Sequence, residues 1–186
     1  MPSRPERPAT YADIERLPSN VVGEILGGIL YTHPRPAVPH AAASSMLGGE
    51  LHAPFQRGKG GPGGWMILDE PELHLVEDVL VPDLAGWRRE RMPERPDAAF
   101  LTLAPDWACE VLSPSTEMVD RAKKLPIYAR DRVAHVWLVQ PSSKTLEVYR
   151  LDGDTYRLVG THAEDALVRA EPFDAIELEL GVLWAR

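Results

Sequence analysis

The chain has 186 residues, 44% of them hydrophobic, and a formal net charge of −8. This composition suits one globular domain, and the negative charge argues against a protein that coats nucleic acid nonspecifically, since such binding depends on Lys and Arg contacts to phosphate. No apolar run approaches the roughly 18 residues that cross a bilayer, and the Pro- and Arg-rich start lacks the apolar segment of a secretory signal. The single cysteine, Cys109, excludes an internal disulfide framework and predicts a cytoplasmic location.

The first part of the chain is predicted to contain helices around a β-hairpin. We expect residues 1–10 to form a flexible arm and residues 11–186 to form a single domain. The pair Gly27 and Gly28 is typical of a hairpin turn. Apolar residues at helical spacing indicate the second helix. The predicted order is a helix, a hairpin, a second helix and a glycine-rich loop, in residues 10–18, 23–33, 39–58 and 58–64.

Strands dominate the remainder, with one helix among them. A proline lies inside that helix, which spans residues 115–131, and a polar loop spans residues 88–99. Residues 166–186 are mixed and receive no assignment. The predicted strands are residues 65–69, 73–77, 79–87, 106–113, 134–141, 145–153 and 155–163. A helix between two strands predicts an α/β or α+β fold.

Two of these strands each carry one acidic residue among apolar neighbours. Asp83 lies within VLVPDLAGW, and Glu110 lies within WACEVLS. An unpaired buried carboxylate costs several kcal/mol, and two of them close together repel each other. A divalent cation between them would remove that penalty, and hard oxygen ligands favour Mg²⁺, Mn²⁺ or Ca²⁺ over zinc. Alternatively, either residue alone could face solvent or cap a neighbouring helix.

Two lysines, Lys123 and Lys124, follow Glu110 in the next helix. Asp120, Lys124 and Tyr128 are spaced four residues apart and share one helix face. Helical spacing alone favours an ordinary Asp120–Lys124 surface pair, worth a few tenths of a kcal/mol. The alternative is a cation beside a metal site, where it would orient an attacking water.

The order of these motifs resembles a known family. Asp83 in VPD is followed by CEVLSPST, DRAKKLPIY and AHVWLVQP, and this series resembles the Uma-type branch of the PD-(D/E)XK, restriction-endonuclease-like superfamily. The upstream GEILGGILY and the Pro39-His40 pair also resemble that branch. The resemblance covers roughly residues 11–150. It implies a mixed β-sheet flanked by helices, with metal ligands on two adjacent central strands, here extended by a hairpin and a meander.

The family resemblance also implies a set of metal ligands. Asp83 and Glu110 match the two acids of the signature, and Glu24 matches an acid contributed earlier in the chain. Together with the backbone carbonyl of Val111, they are the implied ligands of Mg²⁺ or Mn²⁺. Glu24 is expected to bind the ion directly or through water.

The catalytic lysine departs from the ordinary signature. Leu112 occupies the usual place, two residues after the second acid, and cannot perform its chemistry. In the Uma-type branch the lysine stands on the following helix, where Lys124 matches. Lys123 stays an alternative, because Pro126 should kink that helix. The implied catalytic residues are therefore Lys124 and the three acids at positions 24, 83 and 110. No role follows from the sequence for the family-like residues His40, Ser113 and Tyr128.

These residues predict a metal-dependent endonuclease that hydrolyses phosphodiester bonds, with DNA as the substrate by resemblance. We expect no membrane association, and we expect a homo-oligomer, namely a dimer. One alternative is a non-catalytic homo-oligomeric binding protein on a nuclease fold, which the charge of −8 favours. A second alternative is a metal-dependent hydrolase of small phosphate esters, which would need a closed pocket.

Overall fold

The computed structural model describes residues 7–34 and 36–185. The β-strands, numbered in chain order, are β1 (Val21–Leu26), β2 (Ile29–Pro34), β3 (Trp65–Asp69), β4 (Leu73–Leu75), β5 (Asp78–Leu80), β6 (Leu84–Arg88), β7 (Trp107–Val111), β8 (His135–Gln140), β9 (Thr145–Asp152), β10 (Thr155–Ala163), β11 (Leu167–Val168) and β12 (Leu178–Glu179). The α-helices are α1 (Tyr11–Ile14), α2 (Val38–Leu51), α3 (Glu117–Val119) and α4 (Leu125–Arg130). Two π-helical turns, His52–Gln56 and Asp120–Lys124, and a 3₁₀ helix, Leu180–Trp184, complete the elements.

The strands form a six-stranded mixed sheet, a smaller four-stranded sheet and a two-stranded sheet of β11 and β12. The larger sheet has the order β10-β9-β8-β7-β6-β3, and the smaller has the order β2-β1-β5-β4. Strands β7 and β8 are parallel, while the other pairs of the larger sheet are antiparallel. A parallel pair needs a crossover connection, and the helical residues 117–130 supply it. The predicted mixed sheet with flanking helices is confirmed, as is the hairpin around Gly27 and Gly28.

The larger sheet buries both of its faces. One face packs against α2 and the C-terminal residues, where Trp107, Trp137 and Phe173 meet with ring centroids 4.9–5.6 Å apart. The other face packs against α4 and the smaller sheet. Because side chains alternate along a strand, Glu110 shares this second face with Ala108. The acid thus faces the crossover helices.

The predicted strand over residues 79–87 is wrong. The segment divides into β5 in the smaller sheet and β6 in the larger one. Pro82 lies between them and has no N–H to donate to a strand ladder, so pairing stops there. Asp83 consequently lies at the passage from one sheet to the other, immediately before β6, and not in the middle of a buried strand.

The predicted helix over residues 115–131 is interrupted. α3 leads into the π-helical turn Asp120–Lys124, and α4 follows. Pro126 removes a helical N–H, and its ring crowds the carbonyl four residues earlier, that of Ala122. The kink expected at Pro126 therefore takes the form of a widened turn, which determines where Lys124 points.

Other predicted boundaries differ less. The helix predicted over residues 10–18 is confined to α1, and the one over residues 39–58 corresponds to α2 and the π-helical turn after it. Residues 1–6 of the predicted flexible arm lie outside the described residues. Next to them, the Ala9 N–H donates to the Gly28 carbonyl at 2.8 Å. None of the helices within residues 7–34 and 36–185 has the length and apolar character to cross a membrane.

Candidate active site

A pocket of about 340 Å³ lies where the first strands of the smaller sheet meet the end of β7 and the crossover helices. It brings together residues that are far apart in sequence. Of the predicted site residues, four line this pocket: Asp83, Glu110, Val111 and Lys124. Glu24 lies next to the pocket, in contact with Lys124.

Lys124 is enclosed by three carboxylates. Its ammonium nitrogen lies 3.0 Å from Glu24 Oε1, 3.1 Å from Glu110 Oε2 and 3.2 Å from Asp120 Oδ1. Burial alone lowers the pKa of Lys124, but the negative charges of these neighbours outweigh it and hold the pKa well above its ordinary value. The Asp120–Lys124 pair is therefore part of a buried ionic cluster and not a surface pair. Lys123, by contrast, is exposed.

Glu110 is held through both of its oxygens. Tyr128 donates its hydroxyl to Oε1 at 2.6 Å, and Lys124 donates to Oε2 at 3.1 Å. Burial raises the pKa of Glu110 well above its ordinary value, although the charge of Lys124 opposes this shift. The nearby carboxylates of Asp120 and Asp83 act in the same direction as burial. This concentration of negative charge is a setting in which an added cation would be stabilised.

Glu24 is placed to hold Lys124. The Val81 N–H donates to Glu24 Oε1 at 2.8 Å, and His33 Nε2 lies 3.6 Å from Oε2. Burial raises the pKa of Glu24, but Lys124, His33 and the Val81 N–H outweigh it, so the pKa is lowered. The ionised Glu24 is therefore a buried counter-ion of Lys124.

Asp83 joins the two central strands at their pocket end. The Val111 N–H donates to Asp83 Oδ2 at 2.7 Å, and His40 Nε2 lies 3.3 Å from Oδ1. The His40 ring also interacts with the backbone carbonyl of Val111. Burial lowers the pKa of His40, but Asp83 and this carbonyl raise it above its ordinary value.

The oxygen atoms of Asp83, Glu110 and Val111 are of the kind that binds a hard divalent cation, but they do not form a complete set of metal ligands. Within the described residues, no three His, Cys, Asp or Glu side chains are grouped to hold a metal ion. Asp83, Glu110 and Val111 nevertheless line one pocket and supply carboxylate and carbonyl oxygens to it. Carboxylate and carbonyl oxygens are what Mg²⁺ and Mn²⁺ prefer.

Sequence reasoning gave no role in the site to three residues that the structure places there, namely Asp120, His40 and Tyr128. Asp120 was visible only as the residue one helical turn before Lys124, and that spacing favoured a surface pair. His40 and Tyr128 contact Asp83 and Glu110 across elements far apart in the chain. The four-residue spacing of Lys124 and Tyr128 could have indicated that both contact Glu110, whereas no local pattern indicates that His40 contacts Asp83.

Replacing Tyr128 with phenylalanine should lower the free energy of unfolding by about 1.5–3 kcal/mol. The change removes a buried hydroxyl that donates to the Glu110 carboxylate, and hydrogen bonds to charged groups have this magnitude. Urea denaturation followed by tryptophan fluorescence would measure it. Tyr31→Phe, at a half-buried tyrosine on β2, is the matched control and should cost clearly less. Equal stability of Tyr128→Phe and wild type would contradict the proposed support of Glu110.

Comparison with known proteins supports the fold and the family. The family model Uma2, described as "Putative restriction endonuclease", matches residues 9–182. A crystal structure described as "a putative nuclease belonging to DUF820 from Anabaena variabilis ATCC 29413" is similar with a TM-score of 0.73 and 24% identity, covering 95% of this chain and 98% of that chain. No curated protein matches the sequence.

The crystal structure and the family model support different conclusions. At 24% identity, the crystal structure supports the predicted fold alone. The family match confirms the predicted resemblance, and the family description supports a nuclease function. Because the family model spans nearly all of the sequence, this chain belongs to the Uma2 family.

Proposed function

We propose that this chain is an Mg²⁺- or Mn²⁺-dependent endonuclease that hydrolyses phosphodiester bonds in DNA. One observation carries the proposal: Asp83, Glu110 and the ammonium of Lys124 meet at a single pocket, although they come from three separate segments of the chain. Two acids and a buried, charged lysine beside them are the groups that metal-assisted phosphodiester hydrolysis requires. The Uma2 family description supports the nuclease part of the proposal.

Asp83, Glu110 and the Val111 carbonyl are the groups that would hold the ion. For Glu24 we propose the role of counter-ion to Lys124 instead of the ligand role that the resemblance implies. When bound, the ion would polarise the phosphate and stabilise the leaving oxygen. The Val111 N–H fixes the orientation of Asp83, and Tyr128 fixes that of Glu110. The acidic pocket needs such a positive charge before a phosphodiester can enter, because phosphate and carboxylates repel each other.

Lys124 would act as a charged donor and not as a base. Its raised pKa keeps the ammonium protonated, and an ammonium has donors but no lone pair. Glu24 and Asp120 position the ammonium. Asp120 lines the pocket and Glu24 does not, so we propose that a phosphate or water oxygen replaces Asp120 while Glu24 continues to hold the lysine.

Incubation with circular single-stranded DNA and supercoiled plasmid DNA tests this function. We expect nicked or linear products with Mg²⁺ or Mn²⁺ and no products with EDTA. Lys123→Ala is the matched control for residues around the site, because this exposed lysine should be dispensable. Intact DNA after incubation with either metal, at protein concentrations well above that of the DNA, would contradict the proposal.

A further inference from the structure

The pocket is small for a nucleic-acid site. Its volume of about 340 Å³ lies at the lower end of the 300–1,000 Å³ range of small-ligand sites. That space accepts roughly one nucleotide and cannot hold stacked base pairs. A continuous duplex could therefore present only its backbone at the opening, while an unpaired nucleotide could enter.

The pocket walls offer suitable surfaces for a base and for a sugar or phosphate. The connection from β2 to α2 supplies an apolar wall that includes Pro34, Pro36 and Ala37. Extruded bases are commonly held between apolar or aromatic side chains. After β7, Ser113, Ser115 and Thr116 contribute hydroxyl groups to the pocket, and hydroxyls are frequent partners of phosphate and sugar oxygens.

The three hydroxyls form a connected group. Ser113 Oγ lies 3.0 Å from the hydroxyl oxygens of both Ser115 and Thr116. Hydroxyls rotate freely and can exchange one partner for another. The group can thus turn toward the oxygens of a nucleotide without a change in the backbone.

The charge distribution is unlike that of a duplex-binding groove. Among the lining residues that the structure describes, Lys124 alone is a Lys or Arg, and three carboxylates surround it. Duplex binding depends on many Lys and Arg contacts to successive phosphates. Asp83, Glu110 and Asp120 make this pocket acidic, which suits one phosphate accompanied by a cation.

We infer that the pocket receives a single unpaired nucleotide next to the scissile phosphate. The preferred substrate is accordingly DNA that is single-stranded or bulged, and not fully paired duplex. The inference rests on the proposed function, because it concerns the substrate of the same site. It adds a role for the apolar and hydroxyl-bearing walls, which metal-assisted hydrolysis does not by itself require.

Four end-labelled DNAs of one sequence test the inference: a single strand, a duplex with a one-nucleotide bulge, a forked duplex and a fully paired duplex. With Mg²⁺ or Mn²⁺ we expect the first three to be cleaved about tenfold faster than the last, or more, because a fully paired nucleotide must first unpair and unstack, at a cost that an unpaired one avoids. Equal cleavage of the fully paired duplex would overturn the inference and leave the proposed nuclease intact. Cleavage of none would overturn the proposed function and the inference with it.

A matched pair of substitutions tests the pocket itself. Ala37→Phe fills part of the pocket with a ring, so that less room is left for a nucleotide, and Val38→Phe places the same ring on the neighbouring residue, which is 82% exposed and does not line the pocket. We expect Ala37→Phe to slow cleavage of the single strand about tenfold and Val38→Phe to leave it within about twofold. Thermal melting would establish that both variants are folded. An unchanged rate for a folded Ala37→Phe would overturn the inference.

Discussion

Replacing Lys124 with methionine is expected to lower the free energy of unfolding by about 3–5 kcal/mol. The ammonium is the counter-ion of three buried carboxylates, those of Glu24, Glu110 and Asp120. Methionine has similar length and no charge, so the change leaves buried negative charge without compensation, which is the costly case for buried ion pairs. Urea denaturation in the presence of EDTA would measure the loss.

Lys123→Met is the matched control for Lys124→Met. The two lysines are adjacent in one π-helical turn, but Lys123 is exposed, so its replacement should change stability by no more than about 0.5 kcal/mol. Adding Mn²⁺ should restore part of the stability of Lys124→Met, because another cation can then neutralise the acids. Equal stability of Lys124→Met and wild type would show that the carboxylates do not depend on this ammonium.

Lys124→Met should also impair the proposed reaction. Cleavage measured at a temperature where the variant is folded is expected to fall about 10²–10³-fold, which is the usual effect of losing one transition-state donor. Lys123→Met should cleave at the wild-type rate. Rates that match between Lys124→Met and wild type would remove Lys124 from the mechanism while leaving its structural role unaffected.

The sequence predicted the candidate site best where an acidic residue stands among apolar residues of one strand. The burial of Glu110 could be predicted in this way, because WACEV shows no alternation of polar and apolar residues that would indicate a solvent-facing side of the strand. The same reasoning misplaced Asp83. Pro82 is a local signal against one continuous strand, but the apolar pattern does not show that the two halves belong to different sheets, since both are buried. Strand boundaries depend on pairing partners that are distant in sequence.

The surroundings of Lys124 could not be predicted from helix geometry. Four-residue spacing relates Asp120, Lys124 and Tyr128 in a regular helix, but it does not say which face is buried. The π-helical turn before Pro126 decides the direction of Lys124, and the acids that meet it come from β1 and β7. Family resemblance indicated the lysine and two of its acids, and helical spacing indicated Asp120 as its partner, whereas the burial of that pair follows only from three-dimensional contacts.

An aspartate lies at each end of the paired strands β6 and β7, and the one outside the pocket is a control for the one at the proposed metal site. At the pocket end, Asp83 accepts the Val111 N–H at 2.7 Å. At the opposite end, Asp106 accepts the Arg88 N–H at 2.8 Å and pairs with Arg91 at 2.8 Å. Both aspartates therefore link β6 to β7 through a backbone hydrogen bond, but only Asp83 lines the pocket. Replacing each with asparagine keeps an oxygen acceptor and removes the charge.

Asp83→Asn is expected to abolish the stabilisation by Mn²⁺ and to lower cleavage about 10²–10³-fold or more. In wild type, an ion that binds only the folded protein should stabilise it by about 2.7 kcal/mol at one hundred times its dissociation constant. Asp106→Asn should lose only a few tenths of a kcal/mol, from its half-exposed pair with Arg91, and should keep both the Mn²⁺ response and the cleavage rate. Thermal melting over a Mn²⁺ series and isothermal titration calorimetry would measure the two variants side by side. Equal Mn²⁺ affinity in wild type and Asp83→Asn would exclude Asp83 as a ligand. The Asp83 carboxylate would then act only as the partner of His40.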